Sequence, residues 1–315
     1  MPLKKLELKA GVNRENTRYT SEGGWYECDK VRFRQGTPEK IGGWQRISAS
    51  TFLGVCRSIW NWVTLTSQNL VGLGTNLKFY IENGGGYNDI TPLRKAAATL
   101  GNNPFVAVSG SATVTVTDAT GGYIEGDFVT FSGGSSVGGL DLNAEFQIAS
   151  LVSTTSYTIV ASSNASSSAT GGGSSVTAAY QINVGPAFVI PLTGWGASAW
   201  GSGAWGIGSE SVEEVRQWSQ ANFGEDLIFG PRGGKLFYWD ASATNSLSVR
   251  GVALSSISGA SNVPTVQNLT LVSDISRFVF CFGCNELGSA TLNTMLIRWS
   301  DQEDATNWTP SATNQ

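Results

Sequence analysis

The chemistry open to this chain is bounded first by a residue it lacks: none of its 315 residues is histidine. Without imidazole there is no Ser-His-Asp or Cys-His nucleophile pair, no His-ligated zinc or haem, and no histidine proton shuttle. Carboxylates, lysine or a bound metal would have to carry any catalysis. Three stretches nevertheless have the spacing of chemistry. Gly201-Ser202-Gly203-Ala204-Trp205-Gly206 matches the dinucleotide-binding G-x-G-x-x-G, follows the apolar run Ala187-Phe188-Val189-Ile190 and precedes Asp226. It sits inside a Trp-Gly repeat that runs from Gly194-Trp195-Gly196 through Trp200-Gly201 to Trp205-Gly206. A phosphate-cradling turn has to lead straight into an apolar helix, and the helix-start signal Ser211-Val212-Glu213-Glu214 comes late. The loop therefore reads as one that presents Trp195, Trp200 and Trp205 for packing or docking.

Cys281-Phe282-Gly283-Cys284 has metal-knuckle or redox spacing, but there is no second C-x-x-C, and Cys28 and Cys56 lie far away. A four-cysteine zinc site would need assembly across strands; four reduced, mostly buried small residues is the plainer reading. The run Asp301-Gln302-Glu303-Asp304 lacks the alternating oxygens and glycine of a calcium loop, and Glu225 and Asp226 are adjacent, which on a strand points them to opposite faces. Glycosidase chemistry needs two carboxyl groups about 5 to 10 Å apart. Sequence alone does not place such a pair, and solvated turn carboxylates are the better reading of these residues. No cofactor is called for.

The remaining charged feature is cationic. Lys30-Val31-Arg32-Phe33-Arg34 alternates strictly, which on a strand puts three cations on one face and Val31 and Phe33 on the other, with Lys40 and Arg46 nearby. Such a face could neutralise phosphates. Glu27, Asp29 and Glu39 in the same segment make it a mixed polar surface, so Lys30, Arg32, Arg34, Lys40 and Trp44 read as a protein-docking edge at least as readily as a nucleic-acid contact.

Composition says what kind of scaffold holds these groups. Charged residues make up 14% of the chain, well under the roughly 25% of an ordinary soluble domain, while glycine occurs 39 times and tryptophan 11 times. Helix formers are scarce, so an all-β fold is expected. Charge is split by position. Residues 1 to 46 hold 10 basic and 6 acidic residues, net +4, leaving 10 basic and 18 acidic, net −8, for the rest; between Lys95 and Arg216 there is no basic residue at all. A basic head on an acidic body implies different partners for the two parts. The N-terminal Met1 to Lys9 carries charge where a signal peptide needs an apolar core, and no apolar run reaches the about 18 residues of a membrane span. A cytosolic origin follows as the expectation, and the sequons at Asn164, Asn268 and Asn307 then carry no glycan.

Four parts are expected: residues 1–50, a basic docking segment with strands; 51–101, a propeller-like part; 102–183, an inserted small β-barrel or sandwich; and 184–315, a propeller-like continuation. The Ser/Thr/Gly-rich second zone reads as strands at Ala112–Val116, Asp127–Phe131, Ala144–Ile148 and Ser156–Val160, with Leu100–Pro104 and Gly171–Ser175 as boundary-like flanks. The zones on either side share a repeat. Trp218 to Asp240 parallels Trp60 to Glu82, with Leu227 matching Leu70, Lys235 matching Lys78, and Phe237-Tyr238 matching Phe79-Tyr80. A third copy runs from Phe278 to Asp301. Strand, glycine-rich turn and aromatic strand is the pattern of half a propeller blade.

The segment Asp29 to Trp44, preceded by Gly11-Val12-Asn13-Arg14, resembles the opening of tail nozzle or tail stabilisation (tail tubular) proteins of short-tailed bacteriophages. The Trp-Gly loop at 194–206 followed by Trp218-Ser219 and Asn222 to Leu227, and the closing Trp299-Ser300-Asp301 with Asn307-Trp308-Thr309-Pro310, are similar to the same family. Together they cover about two thirds of the chain.

The resemblance implies a virion tail protein with a β-propeller body, assembled in the host cytoplasm as a ring, usually of six copies, below the portal and adaptor proteins. Tail fibres or spikes would attach outside, and genomic DNA would pass through the channel without specific binding, since an acidic wall repels it. Three part-blades are few for a closed propeller, so an incomplete one is expected, completed by further chain or by a neighbour. The function expected is a non-enzymatic component that extends and closes the DNA conduit. The alternatives are a carbohydrate-binding or glycan-cleaving receptor module, suggested by the tryptophans with Asp226 and Glu303, and a nucleic-acid-binding protein.

Overall fold

The computed structural model describes residues 9–15, 17–20, 23–43, 48–185 and 217–312. The chain divides into two compact units, Met1–Ala49 and Ser50–Gln315.

Among its described residues the first unit holds one hairpin, β1 (Val31–Arg34) against β2 (Thr37–Lys40). Its two-residue turn places Gln35 at φ 49° and Gly36 at φ 83°, the paired positive angles that match the twist of a tight hairpin. Val31 and Phe33 are half-buried between exposed Arg32 and Arg34, and Trp25 lies 6.0 Å from the Phe33 ring. Tyr26 is flanked by Arg14 and Arg18, both of which pair with Glu27.

The second unit is all-β apart from two short 3-10 turns among the described residues. It begins with an antiparallel meander, β3 (Cys56–Val63), β4 (Asn69–Thr75), β5 (Phe79–Asn83) and β6 (Gly86–Asp89). There follow β7 (Ala98–Thr99), β8 (Phe105–Ala107), β9 (Thr113–Thr117), β10 (Phe128–Ser132), β11 (Glu145–Ser153), β12 (Ser156–Val160), β13 (Ala169–Gly171) and β14 (Thr177–Tyr180). These eight strands form one curled half-barrel sheet in the order β13-β8-β9-β12-β11-β10-β14-β7. Period-2 alternation turns Val114, Val116, Val129, Phe131, Tyr157 and Ile159 inward to a core of their own. The run Gly171–Ser175 joins β13 to β14 inside this sheet, and Leu100–Pro104 joins β7 to β8 with Leu100 in its core, so both flanks are internal connections.

A second meander follows, β15 (Trp218–Phe223), β16 (Asp226–Pro231), β17 (Phe237–Trp239) and β18 (Val252–Ala253), and then a three-stranded one, β19 (Gln267–Val272), β20 (Val279–Asn285) and β21 (Leu292–Trp299). The repeat legible in the sequence is this propeller-like series of meanders. Leu70 and Leu227, and Phe79 and Phe237, occupy matching buried positions in one shared core.

The middle meander is buried on both faces. Trp218, Leu227, Phe229, Phe237 and Trp239 pack with Trp62, Leu70 and Phe79 of the first meander. The alternate residues Ala221, Ile228 and Tyr238 pack with Val272, Val279 and Cys281 of the third. Close stacking depends on glycine. A Cβ added at Gly74 would fall 2.5 Å from the Trp218 ring, whose Nε1 donates a 2.7 Å hydrogen bond to the Thr75 carbonyl.

Candidate functional site at the half-barrel junction

The half-barrel region from Ala98 to Tyr180 contains carboxylates and no Lys or Arg, so any cation that pairs with one of them has to come from outside it. The structure does this twice. Arg94, just ahead of β7, places Nη2 2.6 Å from Asp127 Oδ2, and Asp127 also accepts the Ile124 N–H at 2.9 Å. Glu145, at the start of β11, meets Lys78 from the β4–β5 turn and Arg250 from the loop before β18.

Lys78 is the centre of the second cluster and is only 3% exposed. Its Nζ is 2.7 Å from Asp89 Oδ2, is hydrogen-bonded to Glu145, and lies 4.6 Å above the Phe128 ring. Arg250 spans the same two carboxylates, at 3.4 Å from Asp89 and 3.3 Å from Glu145, and donates to the Thr91 carbonyl at 2.8 Å. Gln181, just after β14, donates from Nε2 to Glu145 at 2.5 Å and to Asp89 at 3.3 Å. Thr91 completes the set, its N–H and hydroxyl donating to Asp89 Oδ1 at 2.9 and 2.5 Å.

Two cations thus face two carboxylates in a partly dehydrated seam. Burial pushes the Asp89 carboxyl up, but Arg250 and Lys78 outweigh it and hold the group below the ordinary carboxylate value. A general acid needs the opposite shift. The arrangement is a clamp joining the first meander, the half-barrel and the β17–β18 loop. Burial pushes the nearby Tyr80 phenol up to about 12, and its hydroxyl accepts the Leu53 N–H at 3.2 Å.

Beside the clamp lies an open cleft of about 330 Å3, lined by Asn76, Phe128, Gln147 and Asn183 among others. Amide groups and an aromatic ring therefore border the same cavity.

The carboxylates singled out in the sequence hold loops. Asp226 accepts the Tyr238 hydroxyl at 2.5 Å and the Ala241 N–H at 2.9 Å on separate oxygens, and burial raises its pKa. Glu225 binds the β3–β4 turn by accepting the Leu65 N–H at 3.0 Å. Asp301 accepts from Asn307 at 2.6 Å and Asp304 from the Thr306 N–H at 2.8 Å, while Glu303 is exposed at φ 58°. Cys281 and Cys284 are free and buried; Cys56 is exposed. Among the described residues no three His, Cys, Asp or Glu side chains gather as metal ligands, and no helix is long and apolar enough to cross a membrane.

In the first unit, Arg32 and Arg34 share the exposed face of β1, Arg32 paired with Glu39 at 3.1 Å. Lys30 precedes the strand at φ 57° and pairs with Asp29 at 3.7 Å, so the strict alternation begins one residue later than the sequence pattern suggests. Lys40 stands opposite Val31 and therefore on the other face from Arg32 and Arg34. Trp44, Trp195, Trp200 and Trp205 lie outside the described residues. Nothing in the sequence marks the clamp residues Lys78, Asp89, Glu145, Gln181 and Arg250 as a site: Lys78 figures there only as a repeat position and Glu145 only as part of a strand. Their signal is indirect: a long stretch with acids and no cation obliges its flanks to supply one.

No family model matches the sequence, and no curated protein matches it. Four chains of solved structures match. One is described as a phage phi92 endosialidase, 12% identical, with a TM-score of 0.25 over 81% of this chain and 36% of that one. The present chain thus spans about a third of that structure's length.

Proposed function

We propose that this chain is a structural, non-enzymatic component of a bacteriophage tail, of the nozzle or stabilisation type. In this reading several copies form a ring below the portal and adaptor proteins, extending and closing the DNA conduit. The observation that carries it is the conjunction of the motif set at residues 29–44, 194–227 and 299–310 with a body of serial antiparallel meanders. The chemistry supports the same side. Asp89, Glu145, Asp226 and Asp301 each have cations, hydroxyls or N–H groups fastening the fold, so the carboxylates act as rivets. The basic segment 1–46 would face an acidic neighbour, and the acidic remainder would line a passage that DNA does not adhere to. Deleting the gene from the phage that encodes it and supplying it in trans tests the proposal. Particles without the protein should lose DNA or tail structures and regain both on complementation; DNA-filled, fully tailed particles without it overturn the reading.

A second reading, a glycan-binding receptor module, is favoured by the cleft beside Phe128, whose amides and ring have the chemistry that holds sugars. Binding on a glycan array that Phe128→Ala and Gln147→Ala abolish would support it.

A further inference from the structure

The third meander differs from the other two in what it leaves uncovered. Its inward residues Val272, Val279 and Cys281 pack on the middle meander. Its outward positions form two registered rows across the strands, Leu269–Phe282–Ile297 and Leu271–Phe280–Trp299. Leu269 is 53% exposed, Leu271 52% and Ile297 47%, and Met295, on the same side of β21, is 88% exposed. The aromatic members touch, with Phe280 6.4 Å from Phe282 and 6.3 Å from Trp299. No charged side chain interrupts these rows, and β21 is an edge strand whose outward positions carry neither lysine nor proline, two devices natural edges use against pairing. At roughly 150 to 250 Å2 per large side chain, the face amounts to something on the order of 500 Å2. That is the upper range for a monomer's largest patch and most of one side of a standard interface.

We infer that this face is covered by the first meander of a second copy of the chain. Within one copy, meander already stacks on meander twice through apolar faces, so a further meander is the surface that continues the series. The chain carries a candidate at its other end. The β3 side turned away from the middle meander exposes Ile59 at 68% and Val63 at 58%, bordered by Val55 at 67% and Leu65 at 87%. Its inward residues Ser58, Trp60 and Trp62 are taken by Gln220, Asn222 and Glu225. Each copy thus offers a donor face and an acceptor face that differ, which makes the contact head-to-tail; such contacts close into rings or run on as filaments. The inference deepens the assembly reading and rests on it for the existence of an assembly, while naming the surfaces.

The test uses the full chain in analytical ultracentrifugation across a concentration series, with two double variants at exposed positions. One is Met295→Asp with Ile297→Asp; the other is Ile59→Asp with Val63→Asp. Circular dichroism and melting curves like those of the parent establish that each variant folds. The parent should form species larger than a dimer and each variant alone should be monomeric. An equimolar mixture should form a dimer and nothing larger, because it holds one intact donor and one intact acceptor. A parent that stays monomeric at high concentration overturns the inference. So does assembly by both variants like the parent, which leaves the tail reading standing and removes these surfaces. If the Ile59/Val63 variant dimerises alone, the face pairs with itself and the head-to-tail contact is wrong.

Discussion

Lys78 Nζ sits 2.7 Å from Asp89 Oδ2 beneath the half-barrel, whereas Lys235, at the matching place in the second meander, is exposed. One repeat position therefore serves two purposes, and what distinguishes them is Glu145 arriving from β11. A buried ion pair that loses one member leaves an uncompensated charge, at a cost of about 3 to 5 kcal/mol. Lys78→Met should lower the urea unfolding midpoint accordingly, whereas Lys235→Met should shift it by no more than about 0.5 kcal/mol. Equal effects at the two positions would contradict the clamp.

The clamp also gives the acid response a sign. Asp89 is held below its ordinary value by Arg250 and Lys78 against burial, so its ionised form is favoured by folding. That stabilisation is complete above the unfolded-state value, about 3.9, and drains away as pH falls through the lower folded value. Asp89→Asn should be markedly less stable than the parent at pH 7, with the gap narrowing in acid. Melting temperatures measured from pH 7 to about pH 2.5 check this; a constant gap would refute it.

Asp226 runs the other way, because burial raises its pKa. Its contribution is complete below the unfolded-state value and is lost as pH rises through the folded one. Asp226→Asn should remove that loss, leaving the variant's stability less dependent on pH between about 4 and 7 than the parent's. The comparison is read from denaturant midpoints at fixed pH steps.

Gly74 governs how closely two meanders stack. Its φ is unremarkable, so any penalty on Gly74→Ala is steric: the new Cβ would press on the Trp218 ring at 2.5 Å. A loss of about 1 to 3 kcal/mol is expected from overpacking. Gly84→Ala has open space but φ 58°, and should cost less than Gly74→Ala. Reversal of that order in thermal unfolding would show that the β4–β15 contact yields.

What the sequence makes legible is local. Alternation in Ala112–Val116 and Ser156–Val160, and the Trp60/Trp218 repeat, depend on neighbours two residues apart or on one hairpin, so pattern and structure agree to within a residue at each strand end. The clamp depends on pairs 67 and 105 residues apart, Lys78 with Glu145 and Arg250 with Glu145, which no periodicity records. Strand order in the half-barrel has the same character: β13 pairs with β8 across more than sixty residues. At Lys30 the alternation is right in type and begins too early, because a left-handed backbone turn precedes β1.

Cysteine accessibility offers an independent check on the third meander. Burial pushes the thiols of Cys281 and Cys284 up, and both are enclosed, while Cys56 is exposed. Under native conditions iodoacetamide should label Cys56 and spare Cys281 and Cys284 until denaturant is added. Mass spectrometry of the labelled peptides reads the result, and early labelling of Cys281 would mean the β19–β21 sheet opens readily.

The absence of any basic residue from 102 to 183 also bears on how such chains could exchange parts. Grafted onto a scaffold without counterparts of Lys78, Arg94 and Arg250, the half-barrel would arrive with Glu145 and Asp127 unneutralised. Those three cations work as a compatibility code. Exchange of the half-barrel between scaffolds would succeed only where those cations are already in place, so a change in the half-barrel would have to wait for a scaffold already fitted to receive it.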